Sequence, residues 1–223
     1  MVSLINRRAM LSMGIGLALA PQAFAGVHPL YGGETGEIPL RDESLYPPRE
    51  SPIDFPVEVT DKSNIPKRFH RQMVPWEGFE DVGSIVVDPG QRFLYLITAE
   101  GSALRYGVGV GRQGFAWHGE ATIGMKRRWP RWLPPEEMVY RDAKAMEWVN
   151  GMPGGPENPL GARALYLFAN GADTLYRIHG TNDPSSIGKA MSSGCIRMLN
   201  EDVADLFERV PKGTHVIVLQ ASV

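Results

Sequence analysis

The sequence predicts a mostly β domain with a few short peripheral helices. Three observations carry that prediction. The composition is that of a globular protein, with 43% hydrophobic and 22% charged residues. The chain holds 25 glycines and 18 prolines, an abundance that favours strands, turns and loops over a helical bundle. From Ser84 onward, short apolar runs alternate with tight-turn signals. A length of 223 residues leaves room for one domain of ordinary size with an extension. The 23 basic and 25 acidic residues give a net charge of −2, which supplies no electrostatic footprint for nucleic acid.

Residues 1–25 read as a secretory signal peptide. Arg7 and Arg8 form a basic start, Ala9 to Ala20 an apolar stretch, and Ala23-Phe24-Ala25 a small-residue cleavage site. The apolar stretch falls short of the roughly 20 residues that span a bilayer, so no stable membrane insertion is expected after cleavage. The pair Arg7-Arg8 before Ala9-Met10-Leu11 also resembles a twin-arginine signal. No cysteine lies near the cleavage site, which excludes lipid attachment there. Cleavage removes two arginines and no acid, leaving 198 residues with 21 basic and 25 acidic groups, or −4. The expected setting is extracytoplasmic.

Residues 26–81 form a Pro/Gly-rich extension, with Pro29, Pro39, Pro47, Pro48, Pro52, Pro56 and Pro66 and no sustained periodicity. Such a stretch is either a linker or a segment draped over the domain surface. Residues 82–220 are expected to hold the folded domain, with regular structure beginning near Val82. Ser84 to Asp88 is a short apolar strand closed by the turn signal Asp88-Pro89-Gly90. Phe93 to Thr98 and Ala103 to Val110 follow, separated by Glu100-Gly101, and the three read as a β-meander. Further strands are expected at 164–168, 174–178 and 215–219.

Two helices are expected in the last third. Asp183-Pro184 offers an N-cap and a proline at the first helical position, for a helix running to about Met191. Asn200 offers the cap of the second, with Glu201 and Asp202 in its first turn, where the helix dipole favours acids. Val203, Leu206, Phe207 and Val210 then share one apolar face. Between Phe115 and Pro159 the pattern is poorer. Trp117, Trp129, Trp132 and Trp148 lie there among Pro and Gly, and either line a substrate cleft or cap the core from outside.

Exported proteins usually use cysteines in pairs, yet this chain has one, Cys195. It is either a buried small hydrophobe or a reactive thiol. His179 precedes it by 16 residues, at the end of an expected strand. A thiol attacks as thiolate, and a histidine within hydrogen-bond reach takes its proton. Gly194 lets the backbone turn tightly before the nucleophile, and the N–H groups around Gly194 and Cys195 can form an oxyanion hole. His28, His70 and His215 read as structural, whereas His118 lies in the Trp-rich loop and can approach the cleft. No second cysteine and no paired-histidine spacing points to a metal. The run Gly107 to Gly111 mimics part of a dinucleotide fingerprint but has no helix after it, and is rejected as one.

These residues carry a family resemblance. His179-Gly180-Thr181-Asn182, then Ser192-Ser193-Gly194-Cys195-Ile196-Arg197, then Asn200-Glu201-Asp202-Val203 resemble the L,D-transpeptidase (YkuD-type) catalytic domain. So do Gly151 to Gly155 and Asn158 to Arg163. The resemblance implies a β-rich, sandwich-like fold and action on peptidoglycan stem peptides in the cell envelope, with no cofactor or metal. It places the nucleophile on Cys195, the general base on His179, and the carbonyl that holds the imidazole on Gly180. Arg197 is expected to orient the loop or meet a substrate carboxylate. Trp129, Trp132 and His118 are the candidate substrate-binding side chains. The family usually has histidine where this chain has Ser193, which can donate a hydrogen bond but carries no charge near neutral pH. The resemblance also implies acylation of Cys195 by carbapenem-type β-lactams. A stem-peptide amine is the expected acceptor, with water, a D-amino acid or a lipoprotein lysine as alternatives. A non-catalytic peptidoglycan-binding module and a cysteine peptidase are the rival classes.

Overall fold

Hydrophobic alternation and tight turns build most of the molecule, as a computed structural model describes it for residues 48–111, 117–192 and 194–220. The proposed signal peptide and Ser193 lie outside the described residues. Those residues belong to one compact unit, and the architecture is mainly β. No described helix is long and apolar enough to cross a membrane.

Strands β2 (Ile85–Asp88), β3 (Phe93–Ala99) and β4 (Ser102–Gly107) form the expected antiparallel meander. Asp88 closes the first turn by accepting from the Gln91 amide at 2.9 Å. Regular structure starts earlier than the sequence suggests, because β1 (Gln72–Pro75) adds antiparallel to β4. The C-terminal strand β11 (His215–Val218) runs parallel to β2 and antiparallel to β6 (Gly119–Arg128), joining the two halves of the sheet. From β6 the order continues through β7 (Arg163–Ala169) and β8 (Ala172–His179) to β10 (Ile196–Arg197), parallel to β8. The nine-stranded order is therefore β1-β4-β3-β2-β11-β6-β7-β8-β10. Just beyond β4, Gly109 pairs with Arg197 of β10, so the sheet curls until its far edge meets the chain leaving the meander. Strands β5 (Val110–Gly111) and β9 (Ala190–Ser192) form a small parallel pair beside this seam.

The concave side buries Ile85, Val87, Leu94, Leu165, Leu167 and Ile178 against helix α3 (Asn200–Arg209). Val203, Leu206, Phe207 and Val210 supply the apolar face expected of that helix. Val86, between two core residues of β2, points to the other side and packs with Ile97 and Ala103 under Val74, Trp76 and Tyr95. Both sheet faces are covered there, which explains why β2 reads as an unbroken apolar run.

Residues 48–71 drape over the domain. Ile65 and Phe69 are buried with Phe93, Ile187 and Leu199, and Thr60 and Lys62 both engage the Glu201 carboxylate.

Two helix expectations are corrected. Asp183 does accept from the Ser185 amide at 3.1 Å and Pro184 does open a turn, but only a single 3-10 turn forms over Pro184–Ser186. Gly188 then takes φ +80°, leaving space for the Phe69 ring, and the chain extends as β9 instead of continuing to Met191 as a helix. At α3 the cap is Leu199, and Asn200 is the first helical residue with its side chain turned elsewhere. The poorly patterned segment contains β6, whose Ala121 and Ile123 are buried between exposed Glu120 and Thr122, followed by α1 (Glu136–Arg141) and α2 (Ala143–Glu147).

Candidate active site

The parallel pair β8–β10 sets the site. Its register places Ile196 beside Ile178 and Arg197 beside His179. Both isoleucines point into the core, so strand alternation turns His179 and Arg197 to the opposite face. Cys195 precedes β10 by one residue and shares that face. The Arg177 backbone reaches the Cys195 thiol and favours its ionised form. Cys195, His179 and Arg197 together line a cleft of about 540 Å³.

Gly194 enters this turn with φ +127°, a conformation that L side chains rarely adopt. Gly111 lies against it, since a Cβ on Gly111 would meet the Gly194 Cα at 2.7 Å. The glycines rejected as a dinucleotide motif thus let one chain pass close behind the turn that carries Cys195.

His179 is buried, with Nδ1 2.6 Å from the Gly180 carbonyl oxygen. A carbonyl only accepts, so Nδ1 carries the proton and donates it, leaving Nε2 as the acceptor nitrogen. Burial, helped by the Arg197 charge, holds the imidazole pKa at about 4 against the pull of the Gly180 and Leu160 backbone. Burial also raises the Cys195 pKa, against the Arg177 amide and the charges of Arg177 and Arg197. Both shifts favour a neutral thiol beside a neutral imidazole at pH 7. Such a pair is suited to general-base proton transfer, with no standing ion pair.

The remaining walls come from the segment between β6 and β7. Trp132 lines the cleft as expected, and Trp148 joins it from the end of α2. Asn182, from the motif that carries the resemblance, also lines it, as do Met138, Lys144 and Glu157, which were not singled out by sequence reasoning. Trp148 could have been found from the tryptophan cluster, whereas Met138 and Lys144 reach the cleft only because two short helices fold over the sheet face.

Two expectations fail. Trp129 is 2% exposed and donates Nε1–H to Asp54 and to the Phe55 carbonyl at 3.1 Å each. It anchors the draped segment from inside and does not line the cleft. His118 sits ahead of β6, outside the cleft lining, because the chain must reach the central strand β11 before it turns back. Among the described residues, no group of three His, Cys, Asp or Glu side chains converges as a metal site would.

A family model of the L,D-transpeptidase catalytic domain, YkuD, matches residues 83–218. The probable L,D-transpeptidase ErfK/SrfK of Escherichia coli (strain K12) is 34% identical over 145 residues, covering 62% of this chain and 44% of that protein. A putative L,D-transpeptidase of Fuscovulum blasticum, from its ATP synthase subunits region, is 36% identical over 155 residues, covering 66% and 77%. A crystal structure from Brucella melitensis, described as a probable carnitine operon oxidoreductase, is 52% identical. It covers 71% of this chain and 99% of its own, at a TM-score of 0.48. The chain spans less than half the length of the Escherichia coli relatives it matches. With the family model covering more than half of its residues, the chain belongs to the L,D-transpeptidase catalytic-domain family.

Proposed function

We propose that the chain is a peptidoglycan L,D-transpeptidase acting in the periplasm or cell envelope, with Cys195 as nucleophile and His179 as general base. The observation that carries this reading is the placement of the two side chains. His179 ends β8, Cys195 stands one residue before the neighbouring β10, and both line one cleft, with His179 Nδ1 tied to Gly180 and Nε2 left as acceptor.

The reaction runs as two acyl transfers. The Cys195 thiol gives its proton to His179 Nε2 as the sulfur attacks the carbonyl of the third stem residue, at the L-centre of a diamino acid linked to D-alanine. Oxyanion charge falls near the Gly194 and Cys195 amides. The bond to D-alanine breaks, His179 protonates the departing amine, and a thioester remains on Cys195. The amine of a second stem then attacks the thioester, His179 takes the proton from that amine, and the thiol is released. The product is a 3→3 cross-link. Arg197, in the cleft wall with its Nε buried and without a hydrogen-bond partner, supplies a cation suited to a stem carboxylate. The chemistry needs no cofactor.

Incubating the mature protein with disaccharide-tetrapeptide tests the proposal by mass spectrometry of the products. The expected result is a cross-linked dimer with loss of D-alanine, absent for Cys195→Ala. Tripeptide without dimer would replace the amine acceptor by water and make the enzyme an L,D-carboxypeptidase. Dimer formation by Cys195→Ala would refute the mechanism.

A further inference from the structure

The side chain of Asn200 is turned away from its own helix and toward the catalytic corner. Its Oδ1 accepts from the Ala162 amide at 2.9 Å and from the Thr181 amide at 3.2 Å. The Thr181 N–H belongs to the same peptide group as the Gly180 carbonyl, and that carbonyl accepts from His179 Nδ1 at 2.6 Å. A peptide group is planar and resists rotation about its C–N bond. The Gly180–Thr181 peptide is therefore held at its N–H end by Asn200 and presents its C=O end to the imidazole.

The surroundings fit this clamp. A Cβ on either Gly161 or Gly180 would collide with Asn200 Oδ1, so both glycines make room for it. Neighbouring contacts fix the frame, with the Gly180 amide donating to the Arg163 carbonyl at 3.0 Å and the Met198 amide to the His179 carbonyl at 2.8 Å. Asn200 stands five residues after Cys195, so one short segment carries both the nucleophile and the brace for its base.

We propose that Asn200 is a positioning residue for His179, acting through the Gly180–Thr181 peptide to fix the imidazole tautomer that carries its proton on Nδ1. The proposal rests on the reading of His179 as general base. Hydrogen bonds in series polarise one another, so the clamp also makes the Gly180 carbonyl a better acceptor for Nδ1–H. Without it, the peptide can swing and the ring samples the tautomer that leaves Nε2 protonated and unable to accept from the thiol.

The test combines ¹⁵N-histidine NMR, which reads the tautomer, with the iodoacetamide alkylation rate of Cys195 at pH 7. Asn200→Ala is expected to give mixed His179 tautomers and alkylation slowed about tenfold, in the lower range of losses for outer-shell partners of a histidine. Asn200→Asp, which keeps an acceptor oxygen, is expected to restore the Nδ1–H tautomer and the rate to within about threefold by the same reasoning. Asn200→Ser serves as the milder deletion if Asn200→Ala does not fold. A folded deletion variant with wild-type tautomer and rate, and only a lower thermal midpoint, would overturn the proposal. His179→Ala separates the two readings: if it alkylates as fast as wild type, the base assignment fails, whatever Asn200 does.

Discussion

Asp202 is ionisable, fully buried, and accepts no hydrogen bond at either oxygen. Arg71 Nε stands 3.7 Å away, but that arginine makes its closer ion pair with Asp205 at 3.0 Å. Burial lifts the Asp202 pKa from 3.8 to about 6, with Lys62 and Arg71 pulling the other way. A carboxyl whose pKa is raised on folding stabilises the fold below its unfolded pKa, and that stability is lost as pH rises through the folded value. The window here runs from about pH 3.8 to about pH 6, and the shift is worth about 3 kcal/mol against the native state above it. Asp202→Asn keeps the shape and removes the charge, and Arg71 retains Asp205. The variant is therefore expected to gain up to about 3 kcal/mol at pH 8, or roughly 6–12 °C in Tm, with the gain vanishing below pH 4. Urea unfolding of both proteins from pH 4 to pH 8 reads this directly, and the difference between them cancels the opposing titration of His179. A variant less stable than wild type at pH 8 would show that Asp202 works as a stabilising ion-pair partner and would refute the reasoning.

Three further outcomes follow from the geometry. Trp129→Phe removes the donor to Asp54 and the Phe55 carbonyl and is expected to cost about 1–3 kcal/mol by urea unfolding, while kcat changes little because the side chain does not line the cleft. Gly194→Ala forces a Cβ onto φ +127° and is expected to slow Cys195 acylation by a tetrapeptide stem at least about fivefold, from strain of about 1–3 kcal/mol; an unchanged acylation rate would contradict the role of this turn. With the thiol pKa raised and the imidazole held at about 4, the ultraviolet absorbance of the Cys195 thiolate is expected to appear only as pH rises through the thiol range above neutrality. Thiolate absorbance persisting down to pH 5 would reveal a standing thiolate–imidazolium pair instead.

The parts of the molecule with local signals were legible in the sequence. The meander from Ile85 to Gly107 announced itself by apolar runs and turn residues, and the apolar face of α3 by its spacing. Cys195 and His179 could be paired from their neighbours alone, and the register of β8 and β10 brings them to one face of the sheet. What sequence could not supply was long-range. Asn200 has the chemistry of a helix cap, and only the packing of α3 against the chain at Gly161 and Gly180 reassigns its oxygen. The turn at Pro184 begins as its residues dictate and stops because Phe69, more than a hundred residues earlier, occupies the space beside Gly188. Trp129 and Trp132 lie three residues apart in one aromatic cluster, yet one is sealed under Asp54 and the other faces the cleft. The partner that decides their roles comes from the draped N-terminal segment, which carries no periodic signal of its own.

Intact-protein mass spectrometry after brief incubation with a tetrapeptide stem tests the central claim most directly. The account predicts a mass gain equal to the stem acyl group without its terminal D-alanine, mapped to Cys195, slowed in His179→Ala and absent in Cys195→Ala. Release of D-alanine by Cys195→Ala, or an acyl adduct on another residue, would contradict it.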